Sequence, residues 1–212
     1  MPSVLQATAG TAPAKPREAR HITTTVELRE AQGGGMPTVV GYAAVFNQVA
    51  DSGWGFREQV ATGAFSETLA RGDDVAALVE HETCLIVART GGTLKLTQDD
   101  KGLRYEFVPA DTTAGRDLVA NLRAGNIKGS SFGFYTDEEK WDYNPADGGD
   151  PIRTLVRVSL FDISPVVFPF YEGTEAGLRS FYGDRMNAPT APTPPTKDHD
   201  ETLRRRVSMM QT

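Results

Sequence analysis

The stretch Lys128-Gly-Ser-Ser-Phe-Gly-Phe-Tyr135 predicts a short strand that carries two adjacent serines. Because side chains alternate between the two faces of a strand, Ser130 shares a face with the two phenylalanines and Ser131 shares a face with Gly133. The phenylalanine face is typical of a core, whereas the bare glycine leaves room beside the Ser131 hydroxyl. The pattern therefore indicates either a nucleophile seated on a strand or a small residue at a crowded strand crossing.

A base for this hydroxyl has to come from elsewhere in the chain. Of the three histidines, His21 lies at the margin of the expected domain, His199 lies in a tail, and only His81 lies well inside. His81 follows the apolar residues 75–79 and is expected at the end of a strand. A serine becomes a good nucleophile when a base takes its proton, and imidazole suits that role near neutral pH. His81 is therefore the candidate base; the alternative is a structural histidine of the core.

A carboxylate that orients the imidazole is the third expected member. In Val156-Arg-Val-Ser-Leu-Phe-Asp162, alternation places Asp162 at the end of an otherwise apolar strand face, where a buried carboxylate needs a partner. An imidazole N–H would serve. The alternative is that Asp162 caps the turn before Ser164-Pro165. Glu80 and Glu82 flank the histidine and are rivals, although neighbours on a strand point to opposite faces.

Charge, cysteine content and hydropathy exclude several classes of protein. The 212 residues carry a net charge of −6, which disfavours a nucleic-acid-binding surface. The single cysteine, Cys84, rules out an internal disulfide and a thiolate zinc site, and no apolar run approaches the roughly 20 residues of a membrane span. We expect no cofactor: one core histidine fits a metal hydrolase poorly. A thiol protease is disfavoured because Cys84 is expected to pack.

The strand signals predict one folded domain between two disordered ends. Residues 1–20 and the Pro- and Thr-rich residues 183–212 lack periodicity, which leaves residues 21–182 as the domain. Because no helix follows each strand, we expect an α+β, mainly β fold: a mostly antiparallel, closed or partly closed β-barrel with two or three peripheral helices. Strands are predicted at residues 21–29, 38–46, 56–60, 75–79, 85–89, 93–97, 103–108, 128–135 and 152–163, helices at 62–70 and 114–123, and a final packed segment around Leu178, Phe181 and Tyr182.

Seven segments, in order over residues 37–172, resemble the tailed-phage prohead (procapsid) maturation proteases, relatives of the herpesvirus assembly protease. The segments are Gly41-Tyr-Ala-Ala-Val-Phe-Asn47, Gly63-Ala-Phe65, Val79-Glu-His81, Gly92-Thr-Leu-Lys-Leu96, Gly102-Leu103, Gly125-Asn-Ile-Lys-Gly-Ser-Ser-Phe-Gly-Phe134 and Leu160-Phe-Asp-Ile-Ser-Pro-Val-Val-Phe-Pro169.

The resemblance implies an assemblin-like fold and a role for each candidate residue. It makes Ser131 the nucleophile, His81 the general base and Asp162 the third member. Family members more often have a glutamate at this third position, and the herpesvirus relatives have a second histidine, so a nearby glutamate stays open. The family's Gly-Arg after the histidine is Ala88-Arg89 in this chain.

The resemblance also implies a substrate and a place of action. A serine endopeptidase of this kind would cleave the capsid precursor or scaffold, and itself, inside the assembling prohead in the host cytoplasm. A homodimer is compatible, because the herpesvirus relatives are dimers; no nucleic-acid or membrane partner is expected. The competing interpretation is an inactive scaffold or assembly protein that keeps the same barrel.

Overall fold

The computed structural model describes residues 15–31 and 33–168, and strands dominate this part of the chain. The strands are β1 (Glu18–Thr23), β2 (Glu27–Arg29), β3 (Thr38–Val45), β4 (Ala50–Asp51), β5 (Arg57–Val60), β6 (Ala76–Ala77), β7 (Ala88–Arg89), β8 (Lys95–Gln98), β9 (Gly102–Phe107), β10 (Gly129–Asp142) and β11 (Ile152–Val166). The helices are α1 (Ser66–Arg71) and α2 (Thr113–Arg123), with a 3₁₀ turn at Thr83–Leu85. The prediction of a mainly β fold with few helices is confirmed.

The strands form two sheets. The first has the order β1-β10-β11-β5-β4, with β6 paired to β11 and β7 paired to β6, and the second has the order β2-β3-β9-β8. All pairings are antiparallel except those of β11 with β5 and β6.

We predicted a closed or partly closed barrel, and in the part of the chain that the structure describes no closed barrel is found. Between the two sheets there is an isolated bridge from Phe46 to Val60 but no ladder, so the sheets are open. The sequence patterns showed which parts of the chain form strands. They did not show which strands pair, and closure depends on pairing.

The alternating apolar residues of both sheets form one core. Phe132 and Phe134 of β10 stack with their ring centroids 4.9 Å apart, and Phe65, which precedes α1, packs edge-on against Phe132 at 5.5 Å. Tyr105 and Phe107 of β9 stack at 5.9 Å. The phenylalanine face of the serine strand is therefore core, as its alternation predicted.

The two helices lie where sequence signals placed them. In α2 the hydroxyl of Thr112 accepts a hydrogen bond from the Gly115 amide at 3.2 Å, a side-chain cap of the kind that satisfies a free helical N–H. The residue after α1, Gly72, adopts the left-handed conformation expected of a glycine that ends a helix. Within the described residues, neither helix is long and apolar enough to cross a membrane.

Several predicted elements have other ends in the structure, and β10 continues to Asp142, well beyond its predicted end at residue 135. The strand predicted at residues 21–29 is two strands, β1 and β2, which join different sheets and are separated by residues 24–26. Strand β1 begins at Glu18, three residues before the predicted domain start at residue 21. Residues 1–14 of the predicted N-terminal segment, the packed segment around residues 178–182 and the predicted tail, residues 183–212, lie outside the described residues.

Five charged residues meet beside β1, and we call them the ion cluster: Glu18, Arg20, Glu58, Glu139 and Arg153. Arg153 is only 1% exposed, and its guanidinium donates to Glu18 at 2.6 Å, Glu58 at 2.9 Å and Glu139 at 2.6 Å. Arg20 donates to Glu18 at 2.8 Å and to both carboxylate oxygens of Glu58. Buried ions need such partners, since an unpaired one is costly.

The ion cluster shifts the pKa of one of its carboxyl groups strongly. Burial raises the pKa of Glu18, but the hydrogen bond from Arg153 and the charge of Arg20 outweigh burial and lower it to about 2. Glu18 is therefore ionised at neutral pH and holds β1 to the rest of the sheet.

Candidate active site

Ser131 lies on β10, the strand between β1 and β11 in the first sheet. It is opposite His21 of β1 on one side and Ser164 of β11 on the other. Its side chain is 0% exposed. The Ser131 hydroxyl is thus enclosed by strands on both sides.

His81 is held on a tight turn, Val79–Glu82, rather than at the end of a strand. Both central residues, Glu80 and His81, have positive φ angles of 55° and 59°, and the Glu82 amide donates to the Val79 carbonyl at 3.0 Å. Two consecutive left-handed residues are the signature of a type I′ turn, which usually contains Asn or Gly. Each non-glycine residue in this region costs on the order of 1 kcal/mol, so other contacts must hold the turn.

Contacts with the end of β11 hold this turn in place. The His81 amide donates to the Ser164 hydroxyl at 3.1 Å, and the Val167 amide donates to the Glu80 carboxylate at 2.5 Å. The orientation of the His81 imidazole is therefore set by hydrogen bonds from main-chain amides, which the sequence pattern did not reveal.

The three predicted site residues meet through their side chains. Nδ1 of His81 lies 2.6 Å from Oδ1 of Asp162, and Nε2 of His81 lies 2.5 Å from Oγ of Ser131. His81 is 8% exposed and Asp162 is 4% exposed, so these bonds lie out of water, where they are stronger. The order carboxylate, imidazole, hydroxyl is continuous across residues up to 81 positions apart in the chain.

This order fixes the direction in which protons are donated. A carboxylate only accepts, so the proton of a neutral imidazole that bonds Asp162 lies on Nδ1. Nε2 is then an acceptor for the Ser131 hydroxyl. The same hydroxyl also lies 2.9 Å from the main-chain carbonyl oxygen of Arg20, which is a second acceptor for its single proton.

Gly133 has a different purpose from the one that the sequence indicated. The space beside Ser131 that its missing side chain leaves is filled by Asp162. A Cβ atom at position 133 would press on the carboxylate oxygen of Asp162 and lie 2.9 Å from its Cγ. The glycine therefore makes room for the acid.

Two further serines, which the sequence left without a role, support the site from either side. The Ser164 hydroxyl lies 3.3 Å from Oδ1 of Asp162 and accepts from the His81 amide, so it ties the acid to the turn. The Ser130 hydroxyl shares a hydrogen bond of 2.8 Å with the buried phenol of Tyr105. Ser130 thus belongs to the core, and its neighbour Ser131 belongs to the site.

The rival groups lie elsewhere. The Nδ1 atom of His81 meets Asp162, while Glu80 and Glu82 belong to the turn itself. The expectation that Cys84 packs is wrong: it is exposed and lies on the 3₁₀ turn Thr83–Leu85. Among residues 15–31 and 33–168, no group of three or more His, Cys, Asp or Glu side chains is arranged to hold a metal ion.

His21 closes the site from the β1 side. Its ring packs edge-on against the ring of His81, with the centroids 5.5 Å apart. Burial, together with the nearby His81 and Arg20, lowers the pKa of His21 to about 3. His21 is therefore neutral at physiological pH and acts in packing.

A hydroxyl, an imidazole and a carboxylate linked in this order form the arrangement by which serine hydrolases activate their nucleophile. Residues 24–189, more than three quarters of the chain, match the sequence profile of the caudovirus prohead serine proteases (Peptidase_S78). The chain belongs to this family, and it is a serine endopeptidase of capsid maturation.

The chain was also compared with individual curated proteins and solved structures. No curated protein matches the chain. Among solved structures, the chain is similar to the bacteriophage T4 capsid assembly protease, gp21, with 13% sequence identity and a TM-score of 0.46, over 72% of this chain and 99% of that one.

Proposed function

We propose that Ser131, His81 and Asp162 are the catalytic residues of a prohead maturation endopeptidase that cleaves the capsid precursor or its scaffold segment. The observation that carries the proposal is the continuous pair of short hydrogen bonds from Asp162 through His81 to Ser131. Family membership supports the reaction, and the geometry supports the assignment of roles.

Peptide-bond cleavage would proceed through an acyl-enzyme. Oγ of Ser131 bonds to the scissile carbonyl carbon while Nε2 of His81 takes the hydroxyl proton. His81 then gives this proton to the leaving amine, and water hydrolyses the ester by the same route. Asp162 keeps the Nδ1 proton in place and stabilises the imidazolium.

The developing oxyanion needs preorganised donors worth a few kcal/mol. The backbone amides that follow Ser131, beginning with Phe132, are the proposed donors within the described residues. The alternative set, amides beyond Phe168, lies outside them.

Wider features of the function belong to the same proposal. The enzyme acts on the precursor and on itself inside the assembling prohead in the host cell. Its fold is related to that of the herpesvirus assembly protease, and a homodimer is compatible because those relatives are dimers. The protease domain spans residues 21–182 by sequence, extended to Glu18 by the first strand.

The test is co-expression with the capsid precursor of the same phage. Ser131→Ala should abolish precursor cleavage, with a loss of at least ~10⁴-fold in rate, because the nucleophile is gone. Circular dichroism and the melting temperature should change little. The matched control is Ser130→Ala, which removes the neighbouring hydroxyl and should leave cleavage intact in the folded fraction. Continued processing by Ser131→Ala would instead support an assembly protein without catalytic activity.

A further inference from the structure

Strand β1 lies along the edge of β10 that would otherwise be free. The pairing is antiparallel and runs from Glu18 opposite Phe134 to Thr23 opposite Gly129, with His21 opposite the nucleophile. Addition of an extended segment to the edge of a sheet is a common way in which proteins bind peptides, since main-chain bonds give affinity and side-chain pockets give specificity. The chain's own β1 thus takes the place that a substrate strand would take next to Ser131.

The main-chain group that meets the nucleophile belongs to Arg20. Its carbonyl oxygen lies 2.9 Å from Oγ of Ser131, and the carbonyl carbon is one C=O bond, about 1.23 Å, from that oxygen. The hydroxyl is hydrogen-bonded to this oxygen, so for attack Oγ has to turn toward the carbonyl carbon, since reacting atoms lie within about 3–3.5 Å of each other in a near-attack arrangement. Arg20 is paired with Phe132, whose amide is the first proposed oxyanion donor. The peptide bond between Arg20 and His21 is therefore the bond presented to the site.

The Arg20 side chain occupies a pocket suited to a guanidinium. Its Nε and Nη2 atoms both donate to the carboxylate of Glu58, with Nη2 at 2.9 Å from Oε2. The guanidinium carbon also lies over the rings of Trp54, at 5.1 Å, and Phe134, at 5.4 Å. A fork of two bonds to a carboxylate combined with aromatic faces favours arginine over neutral side chains.

A second position on β1 is recognised by the opposite charge. Glu18, two residues before Arg20 and on the same strand face, accepts hydrogen bonds from Arg153 at 2.6 and 3.1 Å. Arg153 and Glu58 belong to β11 and β5, so both stay behind if β1 leaves. The wall beside the nucleophile would then carry one cation, Arg153, and two anions, Glu58 and Glu139. Arg153 and Glu58 are the two that bind an acidic residue and a basic residue two positions apart.

We infer that β1 is bound as the enzyme's first substrate: the bond cleaved is Arg20–His21, and the site selects extended segments with a basic residue before the scissile bond and an acidic residue two positions earlier. This inference deepens the proposed function and rests on it. Oγ of Ser131 bonds to the Arg20 carbonyl carbon, the C–N bond to His21 breaks, and His81 carries the hydroxyl proton to the new amine. Water then releases the Arg20 carboxylate.

Self-cleavage is tested on the full-length chain by intact mass and N-terminal sequencing after expression in a host without phage. The wild type should yield a fragment that begins at His21, and Ser131→Ala should yield none. Arg20→Glu should slow this cleavage at least ~10²-fold, because Glu58 would face a like charge, whereas Arg20→Lys should retain it. The matched control is Arg29→Gln: Glu27-Leu-Arg29 has the same acid–x–base spacing but pairs with β3, and this variant should behave as wild type.

Specificity is tested with a synthetic peptide of residues 15–26 and its Arg20→Gln form. The processed enzyme should cleave the first peptide after its arginine at least ~10²-fold faster in kcat/KM than the second. Glu58→Gln should reduce this preference at least tenfold. The preference is a ratio within one enzyme preparation, so a partly unfolded variant still reports it.

The outcomes separate this inference from the proposed function. Cleavage that depends on Ser131 but starts at another residue, or equal rates for the two peptides, would overturn the inference and leave the protease assignment standing. Absence of any Ser131-dependent cleavage, of the chain or of the capsid precursor, would overturn both.

Discussion

The hydrogen-bonded residues at Ser131 and the ion cluster around Arg153 are both buried polar groups on the same sheet, yet they are held in different ways. Ser131, His81 and Asp162 form a line in which the central imidazole depends on one contact at each end. Arg153 has three carboxylate partners, and Arg20 has two. Loss of one hydrogen bond among Ser131, His81 and Asp162 breaks the proton path but leaves the strands in place. The bonds of the ion cluster, in contrast, hold the strands of the first sheet together. Loss of a group should therefore cost activity at the first site and stability at the second.

The largest expected effect is on kcat, when the hydrogen bond between Asp162 and His81 is altered. Asp162→Asn keeps the shape but offers an amide to Nδ1 of His81, so the imidazole loses the tautomer that can accept the serine proton. We expect kcat to fall about 10⁴-fold with little change in the urea midpoint. Asp137→Asn, also on the first sheet, is the control and should retain full activity. A loss below tenfold for Asp162→Asn would point to another acid as the orienting group.

The next largest effect is on the free energy of unfolding, when Arg153, the central residue of the ion cluster, is replaced. Arg153→Met leaves Glu18 and Glu58 buried with one fewer cation, and breaking buried pairs in this way costs about 3–5 kcal/mol. Urea unfolding should show this loss in the free energy of unfolding. An unchanged free energy would mean that the cluster is no more than a set of solvated pairs, and the contrast with the catalytic line would disappear.

A smaller effect on kcat is expected when Asp162 is kept but pushed out of position. Gly133→Ala introduces a Cβ against the Asp162 carboxylate, which must move away from His81. We expect about a 10²-fold loss in kcat, because small misplacement of an orienting group is costly, and a destabilisation of about 1–3 kcal/mol from overpacking. Gly35→Ala, where the added Cβ would meet only Ala31 at 3.7 Å, is the control for the backbone effect of the substitution.

The last effect leaves the sequence unchanged, is graded with pH and concerns β1. The pKa of His21 is lowered to about 3, so the unfolded chain takes up the proton first and stability falls as the pH drops from about 6.5 toward 3. The pKa of Glu18 is lowered to about 2, so its contribution is present above about 4.5 and is lost as the pH falls toward 2. Each group changes the free energy of unfolding by at most about 1.4 kcal/mol per pH unit.

The two contributions can be separated because their pH windows differ. His21→Phe should flatten the stability profile between pH 6.5 and 4.5 and leave the part of the fall below pH 4.5 that comes from Glu18. Urea unfolding at half-unit steps of pH measures this. A profile that still falls between pH 6.5 and 4.5 in His21→Phe would show that other groups control β1 in that window.

Local patterns predicted the residues that meet at the site but not how they are held. Ser131 could be separated from Ser130 because alternation is a local property, and His81 was the only imidazole well inside the expected domain. The left-handed turn under His81 could not be predicted, since Val79-Glu-His-Glu82 contains neither Asn nor Gly. Gly133 was singled out as room beside Ser131, but its actual role could not be predicted because it depends on Asp162, which lies on another strand.

The fold, too, could be predicted only as far as it does not depend on pairing between distant strands. The alternating residues 21–29 predicted one strand, because nothing in the run marks the point at which β1 ends and β2 begins. The barrel prediction failed for the same reason: strand content can be read locally, but the absence of a ladder between two sheets cannot. The ion cluster combines residues from four strands, β1, β5, β10 and β11, and has no local signature.

Strand β1 is part of the chain whose nucleophile it covers. If β1 is cleaved as inferred above, its departure is a first-order event within one molecule and does not depend on how many copies a shell encloses. Dilution cannot delay it and crowding by neighbours cannot hasten it through collisions. In a protease of this kind, the time at which activity begins is set by the rate at which β1 leaves the edge of the first sheet.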